Sequence, residues 1–221
     1  MSSIASGKCY KHSGDLGDII YALPSLENGC ELLLCFDDRL KYHKTKFNEK
    51  GYNAIYPLLR SQDIDIKPYT GQKFDIDLDL FRFEKPTAGM NLIEWQARWL
   101  GIKPNYDPWI ELEGWANDMV LINITPRYQN KNVKIKFDPN MVFIGVEEEW
   151  KEFEKNYFRV PFLKTMNLYE AAMWIKGCHN FIGNQSSLFA IAVGLGVDAE
   201  LIVSHYAPNC IFERDNIIYH H

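Results

Sequence analysis

Apolar and polar positions follow two rhythms along this chain, a period of two and a period near 3.6, and the switches between them mark its elements. Residues 8–11 read as a short strand, Gly14 and Gly17 as a glycine turn, and the apolar run 19–23 as the first turns of a buried helix. The run ELLLCF at 31–36 is a buried strand. Residues 39–50 are basic (Arg39, Lys41, Lys44, Lys46 and Lys50, with His43 among them) and read as a helix, while 53–59 and 64–69 are shorter strands. In FDIDLDLF, Phe74, Ile76, Leu78 and Leu80 fall on one face and Asp75, Asp77 and Asp79 on the other, a half-buried strand with a solvated acidic face. NLIEWQARWLG at 91–101 is an amphipathic helix with Leu92, Trp95, Trp99 and Leu100 on its apolar side, stopped by glycine.

Two prolines and the polar stretch EGWAND at 113–118 then interrupt the pattern, which places a boundary between domains 1–117 and 118–221. Beyond it the rhythm restarts. Strands are expected at 119–124, 141–145, 157–160, 179–182 and 199–203, the last being the final core strand. Helices are expected at 147–155, 167–177 and 188–195, with a long polar loop over 125–138. Strands alternating with helices in both halves predict an α/β fold: two Rossmann-like parallel-sheet domains facing across a cleft.

Composition adjusts this picture in a few places. With 47% hydrophobic and 24% charged residues in 221, the chain is ordinary for a globular protein. A net charge of −5 argues against a surface built for nucleic acid, although the 39–50 cluster could act locally as a patch for a polyanion rather than a solvated face. No apolar run reaches the length of a membrane span, and the N-terminus lacks the apolar core of a signal peptide, so a cytoplasmic location is expected. Five cysteines without a CxxC fit reduced thiols better than disulfides or a zinc site, and Cys178 reads as a core residue.

Ligands in such sheets bind beyond the carboxyl ends of the strands. Three loops meet that description: 12–18, 125–136 and 183–187. Asp18 starts the first helix, where its charge suits the positive end of the dipole; the plainer reading of Asp15 and Asp18 is that they only cap it. Ser186 and Ser187 open a helix whose amides could hold phosphate, or they are an N-cap with no ligand. Arg127 and Lys131 could neutralise a diphosphate. The aspartates at 75, 77 and 79 repeat about 7 Å apart along a strand, too far to share a small ion easily. The glycine-rich P-loop pattern is absent.

GDLGDIIYALPSL resembles the N-terminal motif of the ADP-heptose:lipopolysaccharide heptosyltransferases, glycosyltransferase family 9, which have the GT-B fold. FIG–VEEE followed by NLYEAAMWIKGCHNFIGNQSSLFAIAVGLG is similar to the C-terminal part of the same family. The resemblance implies a metal-independent, inverting transfer of sugar from a nucleotide-sugar to an acceptor hydroxyl, with no cofactor. It makes Asp18 the catalytic base. It puts Gly17, Arg127 or Lys131, Glu147 or Glu148, and the turn Asn184, Gln185, Ser186 and Ser187 on the donor and its phosphates. The acceptor stays open between a glycan, a lipid and a modified nucleic acid. Gln185 stands where the family's turn has an acid, and Ala190 where a histidine is usual. Those two positions favour a second reading, a non-catalytic module that binds a nucleotide or nucleotide-sugar. A third reading is a transferase acting on modified DNA bases, with 39–50 as its anion patch.

Overall fold

A computed structural model describes residues 7–41, 43–87, 89–207, 209–212 and 214–221. The chain divides into two compact units, Met1–Asn105 and Tyr106–His221. The division precedes the 117/118 boundary expected from composition, because the segment between them is bonded into the second unit. The amides of Trp109 and Ile110 donate to the Gly194 carbonyl, and those of Trp115 and Asn117 donate to Met173 and Gly177.

The first unit runs β1 (Cys9–His12), α1 (Leu16–Ala22), β2 (Glu31–Leu34), α2 (Glu49–Arg60), β3 (Asp65–Pro68), β4 (Ile76–Asp77) and α3 (Leu92–Trp99). All its strand pairs are parallel, in the order β3-β2-β1-β4. Gly17 lies inside α1, so the turn rests on Gly14 alone. The basic stretch is not a helix where it is described: residues 39–41 and 43–48 are turn and irregular chain, and α2 starts only at Glu49, where the Asn48 side chain accepts the Gly51 amide at 3.0 Å. Residues 53–59 are helical rather than a strand. Tyr52, Ile55, Leu58 and Leu59 recur at helical spacing and are the buried residues of α2. The alternation of FDIDLDLF also stops early. Only Ile76–Asp77 pair in the sheet, and Leu78–Phe83 close into 3-10 turns. Asp77 and Asp79 are buried instead of solvated. In α3 the Asn91–Glu94 capping box is present, and the buried positions are Leu92, Ile93, Gln96 and Ala97 rather than the tryptophan face.

The second unit runs β5 (Val120–Asn123), β6 (Met141–Ile144), α4 (Glu147–Asn156), β7 (Phe162–Leu163), α5 (Leu168–Gly177), β8 (Asn180–Gly183), α6 (Ser187–Leu195), β9 (Ala199–Ile202) and β10 (Ile217–His220). Its sheet is parallel in the order β10-β9-β8-β5-β6-β7. Residues 157–160 are not a strand. Tyr157 stacks on Phe153 at 4.9 Å and Phe158 meets it edge-on, so these rings cover the core while β7 forms just beyond. The 199–203 strand is not the last, since β10 pairs alongside β9. No helix among the described residues is long and apolar enough to cross a membrane. No disulfide joins any of the five cysteines, and burial pushes the Cys178 thiol up to about 12.

In each sheet the strand order reverses once, between β1 and β4 in the first unit and between β5 and β8 in the second. A crevice for a ligand opens at such switch points, beyond the strand ends.

Candidate functional site

At the first switch point the sequence places charge inside the protein. Lys11, on β1, is 1% exposed, and its register partner across the sheet is Asp77 of β4. Its ammonium group donates to Asp77 Oδ2 at 3.0 Å and Asp79 Oδ2 at 3.1 Å, beneath the rings of Tyr69 and Phe74. Asp79 in turn takes the Ser13 amide at 2.7 Å and the Ser13 hydroxyl at 2.6 Å. His12 Nδ1 lies 3.2 Å from Asp79 and 2.9 Å from the Gly14 amide, so its tautomer decides which of the two it serves. Burial pushes the Asp79 carboxyl up, but the contacts from His12 and Ser13 outweigh it and hold the group well below the usual carboxylate range.

This network fixes the turn that leads into α1. A Cβ on Gly14 would lie 2.6 Å from the His12 ring and 2.9 Å from Asp18 Cβ, so only glycine admits the packing. Asp18 Oδ2 accepts the Asp15 amide at 3.0 Å, the reciprocal arm of a capping box, and also pairs with the Arg82 guanidinium. Burial raises the Asp18 carboxyl above its ordinary value, against the pull of Arg82 and His12. Residues 45 and 46, ahead of α2, reach the same turn. Thr45 Oγ1 donates to the Ser13 carbonyl at 2.7 Å and the Lys46 amide to Asp15 at 2.8 Å.

The second switch point is built from amides and hydroxyls. Asn123, at the end of β5, donates through Nδ2 to the Ile144 carbonyl at 2.9 Å and to Glu149 at 3.4 Å. Its buried Oδ1 has no partner among the described residues. Gly145 makes room for this amide. Its φ is +144°, and a Cβ there would lie 2.6 Å from Asn123 Nδ2. Asn184, fully buried, staples the next loop: Oδ1 accepts the Thr125 amide at 2.9 Å and Nδ2 donates to the Thr125 carbonyl at 2.8 Å. Gln185 donates to Asn209 at 2.6 Å. Ser186 is the N-cap of α6, its hydroxyl accepting the Phe189 amide at 3.2 Å. The remaining first-turn amides have no partner within the helix, the arrangement that receives anions elsewhere.

The residues singled out from sequence therefore separate. Asp18 stands at the first switch point, with Gly17 beside it in α1 and nothing within 4 Å of where its Cβ would be. Asn184, Gln185, Ser186 and Ser187 gather at the second, with Asn184 and Gln185 holding neighbouring loops. Arg127 and Lys131 are exposed on the loop that Asn184 anchors, the Arg127 guanidinium resting over the Tyr128 ring at 4.8 Å. Glu147 and Glu148 face solvent, Glu147 paired with Lys151, whereas Glu149 turns toward Asn123, where burial raises its carboxyl. Sequence reading missed Lys11, Asp77, Asp79, Arg82, Asn123 and Glu149. A concavity of about 680 Å³ lies elsewhere in the second unit, lined by Val120, Met141, Asn180, Glu200 and His220 among others, and by none of the expected donor residues. Among the described residues no three or more His, Cys, Asp or Glu side chains are grouped to hold a metal ion.

No protein-family model matches the chain, and no curated protein matches it. Solved structures do. The chain is similar to E. coli heptosyltransferase WaaC with ADP-2-deoxy-2-fluoro heptose, at 9% identity and a TM-score of 0.58, covering 96% of this chain and 92% of that one. It is similar to a glycosyl transferase family 9 protein from Veillonella parvula, at 12% identity and 0.54, covering 100% and 88%. It is also similar to the iron-containing dodecameric glycosyltransferase TibC from enterotoxigenic E. coli, at 14% identity and 0.53, covering 98% of this chain and 63% of that one. At such identities the likeness establishes the fold. The two parallel-sheet units expected from the sequence have the α/β, heptosyltransferase-like architecture of these proteins.

Proposed function

We propose that the chain is a glycosyltransferase, inverting and independent of metal, that moves a sugar from a nucleotide-sugar to an acceptor hydroxyl. The observation that carries this reading is Asp18, a carboxylate with a raised proton affinity held beside Arg82 at a switch point. In the transfer the acceptor oxygen bonds to the anomeric carbon from the face opposite the leaving group. Its proton passes to Asp18, and the bond from that carbon to the diphosphate breaks with its electron pair leaving on the phosphate. The α6 amides, Arg127 and Lys131 would receive the charge that develops on the diphosphate, the role a metal plays in other transferases. The fold supports an ADP-linked sugar as the first donor to try, since WaaC was solved with one.

The test is Asp18→Asn, assayed with ADP-heptose by product release to water or acceptor. The side chain keeps its shape and most of its capping. Melting and ADP binding should stay near native while turnover falls about a hundredfold or more. Turnover should be insensitive to EDTA. Unfolding of the variant, with activity per folded molecule retained, would make Asp18 a cap and nothing else. The rival reading, a binding module without turnover, is favoured by Gln185, a neutral amide where the family's turn has an acid, with its nitrogen donating to Asn209. ADP binding with no turnover of ADP-heptose in the unmodified chain would select it.

A further inference from the structure

Asp18 carries its two oxygens in different surroundings. Oδ2 is doubly engaged, by the Asp15 amide at 3.0 Å and by Arg82 Nη2. Oδ1 has no hydrogen-bond partner among the described residues, and it is not among the atoms sealed from solvent. The side chain as a whole is 14% exposed. A carboxylate that both caps a helix and serves as a base must divide those duties between its oxygens, and here the division is visible.

Arg82 arrives from the 3-10 turns that follow β4, the strand paired with β1, so it approaches α1 from outside the glycine motif. Its guanidinium lies over the Phe81 ring, 5.0 Å from the centroid, which limits the directions it can point. It reaches Asp18 through Nη2 alone, and a planar guanidinium seated on a ring is aimed more narrowly than a lysine ammonium. The other groups facing Asp18 are Asp15 on the same helix and His12 at the end of β1. From α3 comes the neutral Gln96, whose amide donates to the Asp18 carbonyl at 3.1 Å. Arg82 is the nearest of them with a fixed positive charge.

We propose that Arg82 is a positioning residue. It ties down Oδ2 and leaves Oδ1 as the atom that accepts the proton. The catalytic part of this rests on the reading of Asp18 as the base; the clamp does not. Without the guanidinium, burial and the Asp15 charge act on the carboxyl with only His12 and the Asp15 amide opposing them, so its proton affinity must rise.

The experiment follows the Asp18 side-chain carboxyl carbon by NMR as pH is varied, in the full chain and in Arg82→Gln and Arg82→Lys. The Asp18 midpoint should rise by about one unit or more in Arg82→Gln, a tenfold gain in proton affinity. Arg82→Lys, which keeps the charge, should recover most of that shift. The acid limb of ADP-heptose turnover should move up in step. An unmoved carboxyl midpoint in a folded Arg82→Gln protein overturns the clamp. A midpoint that moves while the acid limb stays in place overturns Asp18 as the base and leaves the clamp standing. If Arg82→Gln does not fold, Arg82→Lys decides by itself: the lysine loses the planar group held over the Phe81 ring, so turnover should drop with the midpoint nearly unchanged, and full turnover would overturn the positioning role.

Discussion

The two switch points come from the same strand order and are filled by opposite chemistry. In the first, Lys11, Asp77 and Asp79 are buried together, and the turn to Asp18 is held by their hydrogen bonds. In the second, Asn123, Asn184 and Gln185 hold the loops through neutral amides. Buried charge is costly to desolvate, and its return is a fixed geometry rather than net stability. Neutral amides cost less to bury and leave main-chain donors open. The first arrangement suits a group that must be aimed, the part proposed for Asp18. The second suits a ligand that brings its own negative charge. One topology thus carries two chemistries through the side chains at the ends of its central strands.

The sharpest way to break this comparison is to remove the cation at the centre of the first network. Lys11→Met leaves two carboxylates buried without their partner, and should destabilise the first unit by about 3–5 kcal/mol. Denaturant unfolding gives the size, and hydrogen exchange followed by mass spectrometry gives the location. Loss of protection should fall within residues 7–105, with 106–221 keeping most of theirs. A cost under about 1 kcal/mol would mean that the network is dispensable. The second switch point answers to a different change. Arg127→Ala should leave stability nearly unaltered and weaken ADP binding by about 1.5–3 kcal/mol, the range for a charged hydrogen bond. Ser187→Pro is its companion: proline fits the first position of a helix and removes one amide donor. It should add to the loss if the α6 amides hold the phosphates. Unchanged calorimetric affinity in both would leave Arg127 on a solvated loop.

Much of the fold was legible because both sheets are parallel and their strands are apolar runs separated by recognisable helix starts, such as Asn91, Asn167 and Ser186. The second unit read well for that reason. The first read less well where sequence patterns overlapped. The stretch over 53–59 reads as a strand with Pro57 inside it, yet Ile55, Leu58 and Leu59 are one helical face and α2 carries the proline in its last turns. The acidic face of FDIDLDLF looked solvated because its partner is distant in the chain. Lys11 meets Asp77 only once β4 lies beside β1. A lysine within a short strand that ends at a glycine turn was the available signal. For the run EEE, one residue of helical phase decides which glutamate turns inward, and the sequence offers no marker for it; the structure turns Glu149 toward Asn123. Asp18 was visible from its motif, but Arg82, in FRFEK, has no local pattern that ties it to the glycine turn.

The smallest expected effect is the response to acid, where Asp79 of the first unit and Glu149 of the second should act in opposite directions. Asp79 has a folded carboxyl affinity well below its ordinary value of 3.8, so it binds a proton more readily when unfolded. Its contribution to stability is therefore complete above that value and is lost as pH falls below it. Glu149 has the opposite sign. Burial raises its affinity above the ordinary 4.5, so the ionised form at neutral pH is a cost that protonation relieves as pH falls through the raised value. Asp18, raised by burial, behaves like Glu149 and partly masks Asp79 until it is fully protonated. Lowering the pH from 7 to about 4.5 should accordingly increase exchange protection around β6 and α4. Only below 3.8 should protection around β1 and β4 decline through Asp79. Asp79→Asn removes the proton-linked term and should flatten the acid limb for β1 without touching that for β6. A common acid profile for both units would mean that their stabilities are set by something other than these two carboxylates.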